Sequence, residues 1–121
     1  MGNGQSTADM DSKEAKFIQN AIDTHQVVIF SKTYCPHCKT VKQIFAQLNV
    51  TPNVVELDLV DNGTKMQDIL HHMTGARTVP RVFITGKSIG GASETKTFLK
   101  TGQLQEMLKI SSNKAKTINQ K

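Results

Sequence analysis

The sequence predicts an α/β domain: a four-stranded mixed sheet flanked by helices on both faces. Three observations carry that reading. The run Val27-Val28-Ile29-Phe30 is apolar without alternation, as in a strand buried on both sides. Apolar residues at helical spacing follow it, and follow the next strand as well. The last two strand-like segments are separated only by Thr85-Gly86, which is a hairpin connection.

The elements follow in order. Ser12 suits a helix N-cap, and Phe17, Ile18, Ala21 and Ile22 mark the apolar face of a first helix. After the strand at 27–30, Val41, Ile44, Phe45 and Leu48 step along one face of a second helix. Val54 to Leu59 reads as the second strand, and Met66, Ile69, Leu70 and Met73 repeat the helical spacing. Beyond Pro80, Arg81 to Ile84 and Lys87 to Ile89 form the hairpin. Gly90 and Gly91 break the chain, Ser93 can cap a helix carrying Phe98 and Leu99, and Leu104, Met107 and Leu108 continue after Gly102. Two strands joined by a helix are parallel with a right-handed crossover. The hairpin strands are antiparallel, and helices on both faces complete the layers.

A length of 121 residues suits one domain. Residues 1–11, rich in Gly, Asp and polar side chains, are expected to be disordered. Residues 12–110 form the folded domain, and 111–121 a flexible basic tail. Net charge is +5, and Lys109, Lys114, Lys116 and Lys121 follow Glu106 with no further acidic residue. A solvated tail explains them, because no basic stripe interleaved with aromatics supports nucleic-acid binding. No apolar run approaches the roughly 20 residues of a membrane span. The N-terminal stretch lacks a secretory core, and its Asp9, Asp11 and Glu14 do not suit a mitochondrial transit peptide. The expected location is cytoplasmic. Met1-Gly2-Asn3-Gly4-Gln5-Ser6 fits the pattern for myristoylation of Gly2. Membrane contact is expected only with that modification, and one acyl chain binds marginally.

The chemistry lies in Cys35-Pro36-His37-Cys38, which holds the only two cysteines. A pair this close in sequence closes almost no loop, so it adds little entropic stability. Pro36 suits the first turn of the second helix. Cys35 then stands at the helix N-terminus, where free N–H groups and the helix dipole favour a thiolate. Lys32 adds positive charge on the approach, and Cys38 lies one turn further in. Cys35 is therefore the attacking thiol and Cys38 the resolving one. A structural zinc site needs a closed set of ligands, and no second such cysteine pair exists. Adjacent His71 and His72 point different ways on a helix. A CxxC beside a βαβ pattern is a redox signal.

Three segments together resemble dithiol glutaredoxins: Lys32-Thr33-Tyr34-Cys35-Pro36-His37-Cys38, Thr78-Val79-Pro80, and Gly90-Gly91-Ala92-Ser93-Glu94. The likeness spans about residues 14–108. It implies a thioredoxin fold and a monomeric enzyme with glutathione as electron-donating co-substrate. Glutathionylated proteins and small or protein disulfides are the implied substrates. It also implies a cis peptide before Pro80, with the Val79 backbone pairing to the glutathione cysteine like a short strand. By the same resemblance Lys32, Tyr34, Gln67, Arg77 and Thr78 take part in binding glutathione, with Lys32, Gln67 and Arg77 at the glycine carboxylate. Gly91 permits close backbone approach, Ser93 starts a helix whose N-terminus suits the γ-glutamyl carboxylate, and Glu94 suits the γ-glutamyl amine. His37 stands where the family usually has Tyr, and Ala92 where it often has Cys or Ser. The same tetrapeptide occurs in bacterial disulfide oxidases, and a cationic His37 would favour the reduced thiolate, so a more oxidising couple is expected. The alternative reading is a glutathione-ligated [2Fe–2S] protein, against which Pro36 argues.

Overall fold

Every residue of Val27–Ser31 is buried, because this strand lies inside the sheet with helices above and below it. The computed structural model describes residues 9–109. Its elements are α1 (Lys13–Thr24), β1 (Val27–Ser31), α2 (Pro36–Gln47), β2 (Asn53–Glu56), α3 (Gly63–Thr74), β3 (Arg81–Ile84), β4 (Lys87–Gly90) and α4 (Ala92–Thr101). Residues 103–109 are again helical. Expectations for Gly2, for the first eight residues, for residue 110 and for the basic tail at 111–121 lie outside the described residues.

The sheet order is β2-β1-β3-β4. β1 runs parallel to β2 and antiparallel to β3, and β3 is antiparallel to β4. The β3–β4 turn places Thr85 at φ 50° and Gly86 at φ 83°, the twist that a two-residue hairpin needs. Side-chain alternation splits the core in two. Val28, Phe30, Val55 and Phe83 face Ile18, Ile22, Ile69 and Leu70 of α1 and α3. Val27, Ile29, Val82 and Ile84 face Val41, Ile44, Phe45, Leu104 and Leu108 on the other side. Phe30 and Phe83 meet edge to face, with ring centroids 5.8 Å apart, a favourable quadrupole geometry.

Three expectations need correction. Phe17 is not a core residue but is 46% exposed. It lines a shallow hollow with Ala21, Val54, Leu59 and Val60 beside edge strand β2, where the sheet ends and, among the described residues, nothing further covers it. The second strand stops at Glu56 rather than Leu59, because the chain turns there with the Leu59 N–H donating to the Glu56 carbonyl at 3.0 Å. Ser93 does not cap α4. Gly91 is the N-cap, and Glu94 Oε1 accepts the Gly91 N–H at 2.8 Å, so the helix starts one residue before Ser93.

Ser12 caps α1 as expected, accepting the Ala15 N–H at 3.2 Å. Two residues on, Glu14 is a charged residue with only 3% exposure. Its Oε2 accepts from Asn62 Nδ2 at 2.7 Å, and Lys65 Nζ lies 3.3 Å from Oε1. Burial alone would raise this carboxyl, but its own backbone N–H, Asn62 and Lys65 outweigh that and hold it below the usual carboxylate range. The arrangement ties the start of α1 to the start of α3.

A lowered folded-state value contributes stability above the unfolded value and loses it as pH falls through the folded one. Glu14→Gln should therefore melt below the wild-type chain at neutral pH. The gap should narrow as pH falls through and below the ordinary carboxylate range, which melting curves across that range will measure. A gap independent of pH would mean that the carboxylate charge contributes nothing.

Candidate active site

The strand directions bring four loops to one edge of the sheet. The parallel pair places the ends of β1 and β2 side by side, and the antiparallel strands bring the start of β3 and the end of β4 to the same edge. The register Phe30 to Arg81 sets the loop before β3 directly across from the loop after β1. Cys35, Asp58, Val79 and Gly91 all lie on these loops.

Cys35 is the N-cap of α2, with Pro36 in the first turn. Its Sγ accepts the Cys38 N–H at 3.3 Å and lies 3.9 Å from the Val79 carbonyl oxygen, to which the thiol donates. The sulfur thus lies at the helix N-terminus with one backbone N–H directed at it. Cys35 is half-buried, whereas Cys38 is fully buried. Burial pushes the Cys38 thiol up, as does its hydrogen bond with Cys35; contacts from the Lys32 backbone and the Ser31 side chain oppose this only in part. The outer thiol is thus the more accessible of the two, and the inner one is held in its protonated form by burial. His37 and Tyr34 are exposed on either side, Tyr34 at 68%.

Thr78-Val79-Pro80 forms the facing wall, and the Val79–Pro80 peptide is cis. The remaining site residues divide by what already holds them. Lys32 is half-buried, its backbone carbonyl accepts the Cys35 N–H at 3.1 Å, and its charge helps hold Asp58 low. Gln67 Nε2 donates to the Arg77 carbonyl at 2.7 Å, while the Arg77 guanidinium pairs with Asp68. Gln67 and Arg77 are thus brought together, yet each is engaged within the protein. Gly91 and Ser93 stand at the start of α4 with Glu94, whose carboxylate is committed in part to the Gly91 N–H.

Asp58 was missed in the sequence. It accepts both the N–H of Thr33, at 3.0 Å, and the Thr33 hydroxyl. The Thr33 hydroxyl is the largest influence holding its carboxyl low, against a smaller desolvation effect. This contact fastens the loop before Cys35 to the loop after β2. A usable signal existed, because parallel neighbouring strands must end at the same edge. Arg81 was also read only as a strand residue, yet it is 9% exposed and donates from Nε to the Thr78 carbonyl at 2.9 Å. Among the described residues no group of three His, Cys, Asp or Glu side chains stands together as a metal site. No helix among them is long and apolar enough to cross a membrane.

Comparison with known proteins agrees with this geometry. The family model described as Glutaredoxin matches residues 27–89. Glutaredoxin-C4 of Arabidopsis thaliana is 46% identical over 103 residues, covering 85% of this chain and 76% of that one. Mitochondrial glutaredoxin-2 of Mus musculus is 51% identical over 87 residues, covering 72% of this chain and 56% of that protein. Among solved structures, the buckwheat glutaredoxin–glutathione complex superposes with a TM-score of 0.78 at 40% identity, over 79% of this chain and 87% of that one.

The unequal burial of the two thiols has a direct readout. Brief treatment of the folded chain with iodoacetamide at neutral pH should add one adduct, at Cys35, as located by peptide mass spectrometry. Cys38 should react only on unfolding or at strongly alkaline pH. Equal labelling of both in the folded chain would contradict the division of roles.

Proposed function

The chain belongs to the glutaredoxin family, and from that premise we propose that it is a glutathione-dependent oxidoreductase that reduces protein–glutathione mixed disulfides and other disulfides. The observation that carries this reading is the placement of Cys35 Sγ at the N-terminus of α2, 3.9 Å from the Val79 carbonyl. A sulfur in that position has a backbone edge beside it, on which a short extended peptide can pair while its own sulfur reacts.

The residues around that edge suit glutathione, which carries two carboxylates and an amine on an extended backbone. Lys32 offers a cation at one end, with Gln67 and Arg77 close by once their present internal contacts are exchanged. At the other end, the N-terminus of α4 offers free N–H groups to a carboxylate, and Glu94 offers an acceptor to the amine. Tyr34, Thr78, Gly91 and Ser93 complete the groove in this reading.

The reaction follows from the two thiols. Cys35, as thiolate, attacks the glutathione sulfur of a mixed disulfide. A new bond joins Cys35 to glutathione, the old disulfide bond breaks, and the substrate sulfur departs as a thiolate that takes up a proton. A second glutathione then frees Cys35 and leaves as oxidised glutathione. With a protein disulfide, Cys35 is left joined to the substrate. Cys38 then loses its proton and attacks Cys35 Sγ, releasing the substrate thiol and forming the Cys35–Cys38 disulfide. Two glutathione molecules reduce that bond. Thiols kept for such exchange suit a reducing compartment such as the cytosol, and the chemistry needs only one copy of the chain.

Separating the two thiols by mutation tests this scheme. Cys35→Ser should abolish turnover of both substrate classes. Cys38→Ser should keep removal of glutathione from a mixed disulfide, while losing most reduction of protein disulfides. Rates on a glutathionylated peptide and on a disulfide-bonded protein, with glutathione supplied, provide the check. If Cys38→Ser is as inactive as Cys35→Ser on the glutathionylated peptide, the assigned roles are wrong.

A further inference from the structure

Arg81 opens β3, an otherwise apolar strand, and its side chain is almost completely buried. A buried guanidinium is unfavourable unless its donors are satisfied. Here Nε donates to the carbonyls of Thr78, at 2.9 Å, and Pro80, at 3.1 Å. Nη2 reaches the Thr78 hydroxyl at 3.4 Å. One side chain therefore holds both ends of the Thr78-Val79-Pro80 segment, and Val79 lies between them.

The same guanidinium also meets the start of α4. A Cβ on Gly91 would stand 2.6 Å from Arg81 Nη2 and 3.1 Å from the Pro80 carbonyl oxygen, so the glycine leaves room for the arginine. Gly91 in turn donates its N–H to Glu94 Oε1. The Glu94 carboxyl is held low chiefly by that bond, with a contribution from the Arg81 charge. Burial draws the guanidinium down from its usual range, and Glu94 partly restores it. The charge thus sits beneath the turn where an N-terminal helix site would receive a carboxylate.

We propose that Arg81 is a positioning residue for the glutathione moiety. It holds the Val79 segment at both ends and packs against the start of α4, and it adds a positive charge beneath the carboxylate end. The inference rests on the reading that glutathione lies along Val79 and α4, and it assigns the element that holds those two parts together. A lysine cannot take this role, because a single ammonium lacks the planar fork that reaches several acceptors at once.

The test uses the full chain with Arg81→Lys and Arg81→Met. It measures kcat and KM on a glutathionylated peptide, the pH profile of Cys35 alkylation, and the melting temperature. Both variants should raise KM about tenfold or more, the scale of losing charge-assisted hydrogen bonds. Their kcat and alkylation profiles should stay close to those of the wild-type chain, since Cys35 and α2 are untouched. An unchanged KM, or a wild-type KM restored by lysine, would overturn the proposal. So would parallel losses in KM, alkylation and melting temperature, which would mark a general loosening of the fold. If either substitution prevents folding, Arg81→Gln, which keeps a neutral donor for the Thr78 carbonyl but loses the charge and the fork, must raise KM at unchanged kcat, and failure to do so is equally fatal. A wild-type chain that does not turn over the glutathionylated peptide would instead overturn the glutathione reading itself.

Discussion

The antiparallel pairing of β1 with β3 is the constraint on which the rest of this site depends. It aligns Phe30 with Arg81, so the chain leaving β1 and the chain entering β3 face each other across one edge of the sheet. Cys35 lies on the first of these and Val79 on the second, far apart in sequence and 3.9 Å apart at Sγ and the carbonyl oxygen. A shift of one residue in that register would turn every side chain of β1 to the opposite face. It would also move the thiol away from its backbone partner. The apolar residues on both faces of β1 and β3 make such a slip costly, so the burial that stabilises the sheet also sets the reactive geometry.

Onto this pair the fold adds two supports of different kinds. Asp58 takes two hydrogen bonds from Thr33 and holds the approach to Cys35 from the β2 side. Arg81 and Gly91 close the opposite flank, where packing leaves no room for a methyl group at 91. The two thiols then differ because one lies at the mouth of α2 and the other a turn inside it. Burial disfavours charge on the inner sulfur.

The element order and the strand directions could be read from the sequence, because each depends on local pattern. The unbroken apolar run of β1, the helical spacing of Val41, Ile44 and Phe45, and Pro36 after Cys35 are all signals within a few residues. The errors came where a distant part of the chain decides. Phe17 has the right spacing for a core residue but lies beside an edge strand with nothing beyond it. The start of α4 is the exception, where the deciding contact is local: Glu94 reaches back three residues to Gly91 and moves the helix start ahead of Ser93. Glu14, Asp58 and Arg81 look like surface charges in sequence. For Glu14 and Asp58 the partners Asn62 and Thr33 come from distant segments that only the assembled fold brings close, whereas Arg81 turns back onto Thr78, three residues before it. Gln67 and Arg77 were read, with Lys32, at one carboxylate by resemblance; the contacts of Gln67 with the Arg77 carbonyl and of Arg77 with Asp68 are invisible to local pattern.

The central claim is that Cys35, the Val79 edge and the start of α4 form one groove for a single glutathione molecule. The most direct measurement is a crystal structure of the Cys38→Ser chain trapped as its mixed disulfide with glutathione. The account predicts a sulfur–sulfur bond at Cys35, the glutathione cysteine paired with the backbone of Val79, and the γ-glutamyl carboxylate at the N-terminus of α4. A tripeptide bonded to Cys35 but directed away from Val79 and α4 would contradict it.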